Sequence, residues 1–119
     1  MANILVIEDN EQNLYLVTFI LERDGHVVAQ ARSGEDGIRQ AAMARPDLIL
    51  LDIQLPQMDG YSVAQTLRTH PHLSDVPIVA VTSYAMTGDR ERVMAAGCTG
   101  YLEKPIDPAT FVDEVTAFL

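Results

Sequence analysis

Five side chains able to handle metal or phosphate stand at the ends of hydrophobic runs. Glu8 and Asp9 follow Ile4-Leu5-Val6-Ile7, and Asp52 closes Leu48-Ile49-Leu50-Leu51. Thr82 closes Pro77-Ile78-Val79-Ala80-Val81, and Lys104 follows Gly100-Tyr101-Leu102-Glu103. Three carboxylates brought together repel one another strongly unless a cation intervenes. Oxygen-only ligands few in number, completed by water, suit Mg²⁺ better than a full Ca²⁺ cage. The alternating acids of an EF-hand loop are absent. His26, His70 and His72 lie away from these run ends and no Cys/His spacing recurs, so a transition-metal site is poorly supported. A carboxylate can also attack phosphorus and become an aspartyl phosphate. In that chemistry Mg²⁺ bridges Asp52 and the phosphoryl oxygens, and Lys104 holds another oxygen as a compact point charge. The Thr82 hydroxyl then gains a charged acceptor only in the modified state, which is the germ of a switch.

Lysine usage sharpens the pattern. Seven of the eight basic residues are arginine, and the one lysine stands directly before Pro105 at a run end. The Lys104–Pro105 bond is a candidate cis peptide. Taken singly, each residue has an ordinary reading: Glu8-Asp9 as a solvated turn, Asp9 or Asn10 as a helix cap, Thr82 as a turn hydroxyl bonding its own backbone. What those readings leave unexplained is the joint placement.

The elements that would position these residues alternate strand and helix. Asn10 can cap a helix carrying Leu14, Val17, Ile20 and Leu21, with Gly25 as its stop. Residues 26–29 read as a weaker, outer strand, and Ser33 with Asp36 resembles a shortened capping box for a helix running to about Ala44. Residues 56–60 form a turn cluster before helical spacing resumes over 61–68. Thr87 can cap a helix over 88–96 closed by Gly97. Asp107 before Pro108 predicts a last helix running to 119. Five strands alternating with five helices predict a doubly wound α/β domain with a parallel sheet. In the flavodoxin-like order 2-1-3-4-5, the chain reverses between the first and third strands, and ligands bind outside the carboxyl ends there. Glu8, Asp9 and Asp52 would meet at that point, flanked by Thr82 and Lys104.

The bulk composition narrows the function classes. A chain of 119 residues, 48% hydrophobic, suits one core and one domain spanning 1–119. No apolar run approaches the ~18 residues of a membrane span, and the start lacks the basic segment of a signal peptide. Cys98 is a single cysteine and fits a reducing compartment as a small buried residue, so a cytoplasmic location is expected. Eight basic residues against 17 acidic ones give a net charge of −9, which argues against direct nucleic-acid binding.

The motifs Ile4-Leu5-Val6-Ile7-Glu8-Asp9-Asn10, the run from Asp47 through Asp52 to Pro56-Gln57-Met58-Asp59-Gly60, Pro77 to Thr82, and Lys104-Pro105 together resemble the receiver domain of two-component response regulators. The match spans essentially the whole chain. The resemblance implies that Asp52 is the phosphoacceptor and that Glu8, Asp9, Asp52 and the backbone carbonyl of Gln54 bind Mg²⁺. It implies that Thr82 and Lys104 contact the phosphoryl group, that Tyr101 is a switch aromatic, and that the Lys-Pro bond is cis. Residues 85–89 with Ala96-Gly97-Cys98 look like receivers of hybrid histidine kinases and stand-alone regulators of the DivK type. The implied phosphodonor is a sensor histidine kinase or a histidine phosphotransfer protein, and the implied output is binding of a downstream protein by a monomer or a weak phosphorylation-dependent dimer. Gln54 and Tyr84 stand where the family varies. Such a domain accepts a phosphoryl group without being a conventional enzyme.

Two rivals have distinguishable signatures. A phosphatase of the haloacid dehalogenase type resembles Asp-x-Asp after the first strand, whereas Asp52-Ile53-Gln54 follows the third and lacks the second acid. A degenerate receiver acting without phosphorylation would not require all of Glu8, Asp9, Asp52, Thr82 and Lys104.

Overall fold

Alternation of side chains along the central strands decides how the layers form. In β1 (Asn3–Ile7) and β3 (Leu48–Asp52), one set of alternating residues faces one side of the sheet and the other set faces the opposite side. Leu5, Ile7, Ile49 and Leu51 pack with Val63, Ala64, Leu67, Val93 and Ala96 on one face. Ile4, Val6, Leu48 and Leu50 pack with Leu14, Val17, Leu21, Phe111 and Val115 on the other. Each such fully buried aliphatic chain contributes about 1.5–3 kcal/mol, so a strand apolar on both faces is locked into the middle of the sheet.

The structure is a computed structural model that describes residues 2–83 and 87–119, with 87–89 described by their backbone alone. The remaining elements are α1 (Glu11–Arg23), β2 (Val27–Ala31), α2 (Gly34–Met43), α3 (Gly60–Arg68), a short 3₁₀ turn (Pro71–Leu73), β4 (Ile78–Thr82), α4 (Thr87–Ala95), β5 (Gly100–Glu103) and α5 (Phe111–Thr116). The five strands are parallel and ordered β2-β1-β3-β4-β5, the order expected from the sequence. The registers Ile7↔Leu51 and Asp52↔Val81 align the strand ends, so the carboxyl edge is common to β1, β3 and β4.

Local chemistry explains most element boundaries. Asn10 Oδ1 accepts from the Asn13 N–H at 3.0 Å and Ser33 Oγ from the Asp36 N–H at 3.1 Å, as the sequence suggested. Asp59 caps α3 in the same way, its Oδ1 accepting from the Ser62 N–H at 2.9 Å. The outer strand is displaced from 26–29 to Val27–Ala31, because the His26 N–H donates to the Leu21 carbonyl at 3.1 Å at the end of α1 and pairing with β1 begins at Val27. The helix expected over 88–96 is Thr87–Ala95; the capping side chain of Thr87 and the motif residues 84–86 lie outside the described residues. The last helix is shorter than expected. Asp107 does accept from the Ala109 N–H at 3.0 Å, but its carbonyl takes both the Thr110 and Phe111 N–H groups, and the chain turns before the helix begins. Past Thr116 the N–H groups of Phe118 and Leu119 reach only three residues back, a tightened end. Among the described residues no helix is long and apolar enough to cross a membrane.

Candidate functional site

The carboxyl edge gathers the acids where the strand order reverses. Pairing between β1 and β2 continues one residue beyond the strand, the Glu8 N–H donating to the Ala31 carbonyl at 2.9 Å. This aims Glu8 into the sheet edge, where it is only 4% exposed, as is Asp52 at the end of β3. Asp9, next in the chain, is exposed. One carboxylate oxygen from each of Glu8, Asp9 and Asp52 lies within 4.8 Å of the other two, the one such group among the described residues.

Lys104 closes the cluster from the far side. Its backbone N–H donates to the Thr82 carbonyl at 2.8 Å, extending the β4–β5 pairing past Glu103. Its Nζ then reaches 3.3 Å from Glu8 Oε1 and 3.4 Å from Asp52 Oδ1. The Lys104–Pro105 bond is cis. Thr82, the last residue of β4, is buried beside this pairing. After Asp52 the chain doubles back tightly: the Gln54 N–H donates to Asp52 Oδ1 at 2.9 Å, and the Gln54 side-chain oxygen accepts from the Ser83 N–H at 3.4 Å. Gly60 follows so closely on Ile53 that a Cβ there would meet Ile53 Cα at 2.5 Å and the Asp52 carbonyl oxygen at 2.9 Å. Only glycine lets α3 start this near the acids.

The electrostatics are those of a site short of positive charge. Burial raises the Glu8 carboxyl to about 7, helped by its hydrogen bond to Asp52 and by that residue's charge. Lys104 and the Asn10 N–H, which donates to Glu8 Oε2 at 3.3 Å, oppose the rise without cancelling it. A hard dication beside three carboxylates would relieve this repulsion, and the all-oxygen donor set fits Mg²⁺. The histidines are engaged elsewhere: His26 with Asp24, His70 and His72 with each other edge-on.

Tyr101 stands apart from the acids. On β5 opposite Ala80, its ring is half-buried against the core of the α2–α4 side. Its hydroxyl accepts from Arg90 Nε at 2.7 Å and also from Arg90 Nη2. Sequence reasoning missed this partner. A lone arginine in a polar helix carries no local signal, and only the placement of α4 against β5 reveals it.

Comparison with known proteins now bears on this geometry. The family model described as the response regulator receiver domain matches residues 4–116. The chain belongs to that family. Aspartate phosphorylation and Mg²⁺ binding in an acidic pocket are general to receiver domains. The polar-differentiation response regulator DivK of Brucella anthropi is 38% identical over 117 residues, covering 98% of this chain and 95% of that one. The receiver domain of a sensor histidine kinase from Pseudomonas aeruginosa is 35% identical, covers 98% and 96% of the two chains, and superposes with a TM-score of 0.90. Its structure has a magnesium ion coordinated in the active site cleft. Chemotaxis protein CheY4 of Vibrio cholerae superposes with a TM-score of 0.96 at 28% identity, covering 100% and 99%.

Proposed function

We propose that residues 1–119 form one receiver domain that takes a phosphoryl group on Asp52 and signals through the change that follows. The observation that carries this reading is Lys104 Nζ lying between Glu8 and Asp52 in a cleft that also holds Asp9. An ammonium so placed can hold an oxygen of a group carried on Asp52, while the acids on the other side take a cation.

In the proposed reaction, a carboxylate oxygen of Asp52 attacks the phosphorus of a phosphohistidine. The N–P bond breaks with its electron pair left on the imidazole. The donor is a sensor histidine kinase or a histidine phosphotransfer protein. Glu8, Asp9, Asp52 and the Gln54 backbone carbonyl hold Mg²⁺, which supplies charge neutralisation at the phosphoryl oxygens. Lys104 balances a further oxygen, and the Thr82 hydroxyl donates to the newly placed acceptor. Tyr101 reports the change toward α4. The domain is consumed one equivalent per phosphoryl group, so it is a switch and not a conventional enzyme. Its output is capture of a downstream protein on the face made by α4, β5 and α5, as a cytoplasmic monomer or weak phosphorylation-dependent dimer. With a net charge of −9 it does not bind nucleic acid itself.

Phosphoramidate, a small donor with the same N–P bond, tests the reaction class. With Mg²⁺ it should give an acyl-phosphate ³¹P signal that hydroxylamine discharges. A folded protein showing no such signal, and no beryllofluoride binding, would be a degenerate receiver.

A further inference from the structure

Helix α2 covers the two ends of β2 unequally. Val27, Ala29 and Ala31 alternate onto the face of the sheet that carries Leu5. Ala31 is fully buried there, but Ala29 is exposed and Val27 is 50% exposed. α2 ends at Met43, which is 77% exposed, so its last turn stands off the start of the strand. A groove of 470 Å³ opens between Ala29 and Met43, with Leu5 and Pro46 among its lining residues. A mostly apolar lining with a few polar groups is the make-up of a small-molecule site. The groove lies where β1 and β2 begin, at the opposite edge of the sheet from Glu8 and Asp52. Its charge is opposite to that of the chain. Against a net charge of −9, the charged residues lining it are Arg39 and Arg45, with no acid among them. Arg39 is held by Asp36 one turn earlier. Arg45 Nε donates to the His72 carbonyl at 2.9 Å, leaving its two terminal nitrogens without a partner among the described residues. Asp47, the next acid along the chain, already accepts from the Asn3 N–H at 2.7 Å.

We propose that this groove binds a medium-chain aliphatic carboxylate, with its alkyl chain along Val27, Ala29 and Met43 and its carboxylate on the outer nitrogens of Arg45. The carbonyls closing α2 disfavour an anion beside its last turn, which places the head at Arg45 and the apolar body inside. A peptide would have to bury its own amides where few partners are left, since the Gln40 side-chain amide already donates to the Gln30 carbonyl and to Asp36. An alkyl chain has no such groups to satisfy. An amine would meet two arginines. The inference stands apart from the receiver reading, because no residue of the acidic cleft lines the groove.

The test is titration of the full chain with octanoate, read from the Met43 methyl and Ala29 amide resonances of labelled protein. Both should shift and saturate. Affinity should rise about fourfold per added methylene from hexanoate to decanoate. Arg45→Gln should weaken octanoate about three- to fivefold, the scale of an exposed ion pair, and leave octanol unchanged. Octylamine should bind more weakly than either. Ala29→Phe fills the groove from an exposed position and should abolish binding of octanoate while the remaining amide pattern is kept. Val27→Glu, which sets a negative charge at the half-exposed mouth, should weaken octanoate as well and guards against a folding defect in the first variant. Shifts that fail to saturate, or that persist undiminished in both Ala29→Phe and Val27→Glu, overturn the site. Octylamine binding as tightly as octanoate, or octanoate affinity unchanged in Arg45→Gln, overturns the carboxylate assignment.

Discussion

Glu8 carries the clearest consequence at the scale of a single residue. Its carboxyl is raised to about 7, first by burial and then by Asp52. The folded protein therefore keeps a proton that the unfolded chain loses near its ordinary value of 4.5. By linkage, the metal-free protein loses stability as pH rises from about 4.5 through about 7. In EDTA the melting temperature of wild type should fall over that window, while Glu8→Gln, which cannot ionise, should stay flat there. Mg²⁺ must displace the same proton, so its affinity should rise with pH up to about 7 and its binding should release protons at pH 6.5. Calorimetry in buffers of differing ionisation enthalpy checks this, and zero proton release would contradict the assignment of Glu8. The position of Glu8 at a strand end was readable from its sequence. Its raised carboxyl was not, because that depends on how deeply the β1–β2 pairing pulls the side chain in.

At the scale of elements, the two ends of α3 are held by different means, Gly60 beside the acids and Arg68 at the amino-terminal edge of the sheet. Gly60→Ala would drive a methyl group into the backbone of Ile53 and the carbonyl of Asp52. It should cost about 1–3 kcal/mol by urea unfolding and weaken beryllofluoride binding beyond what Ala64→Gly, farther along α3, produces. Arg68 ends α3 and donates to the carbonyls of Leu73, Val76 and Gly97, each at 2.8 Å. Arg68→Ala removes all three bonds, leaving the Leu73 carbonyl with only the Val76 N–H at 3.2 Å, and should lower stability by about 2–4 kcal/mol, with Arg68→Lys recovering only part. Element type and order were legible, because strands such as Leu48–Asp52 are apolar throughout and end at charge. The length of α5 was not: Asp107-Pro108 looks like a helix start, yet the Asp107 carbonyl is spent on a turn. The Asp59 cap sat unread inside a Pro/Gly-rich cluster that looked like turn chemistry alone.

Across the whole molecule, the sheet order converts four separate strand ends into one cleft. Runs that stop at Glu8, Asp52 and Thr82 were visible in one dimension, and the right-handed βαβ connections leave few ways to arrange them. Links that join elements through side-chain reach, Arg90 to Tyr101 and Arg68 to Gly97, have no one-dimensional trace. They depend on how α4 lies against β5 and α3. A phosphoryl group on Asp52 would add further negative charge beside three carboxylates, so the proposed reaction calls for a cation in the same cleft. The central claim is that Asp52 accepts that group with Mg²⁺ bound, and intact-mass measurement after incubation with acetyl phosphate and Mg²⁺ tests it most directly. One adduct of about 80 Da in wild type, absent in Asp52→Asn and in EDTA, is the predicted result; an adduct that survives in Asp52→Asn would contradict it.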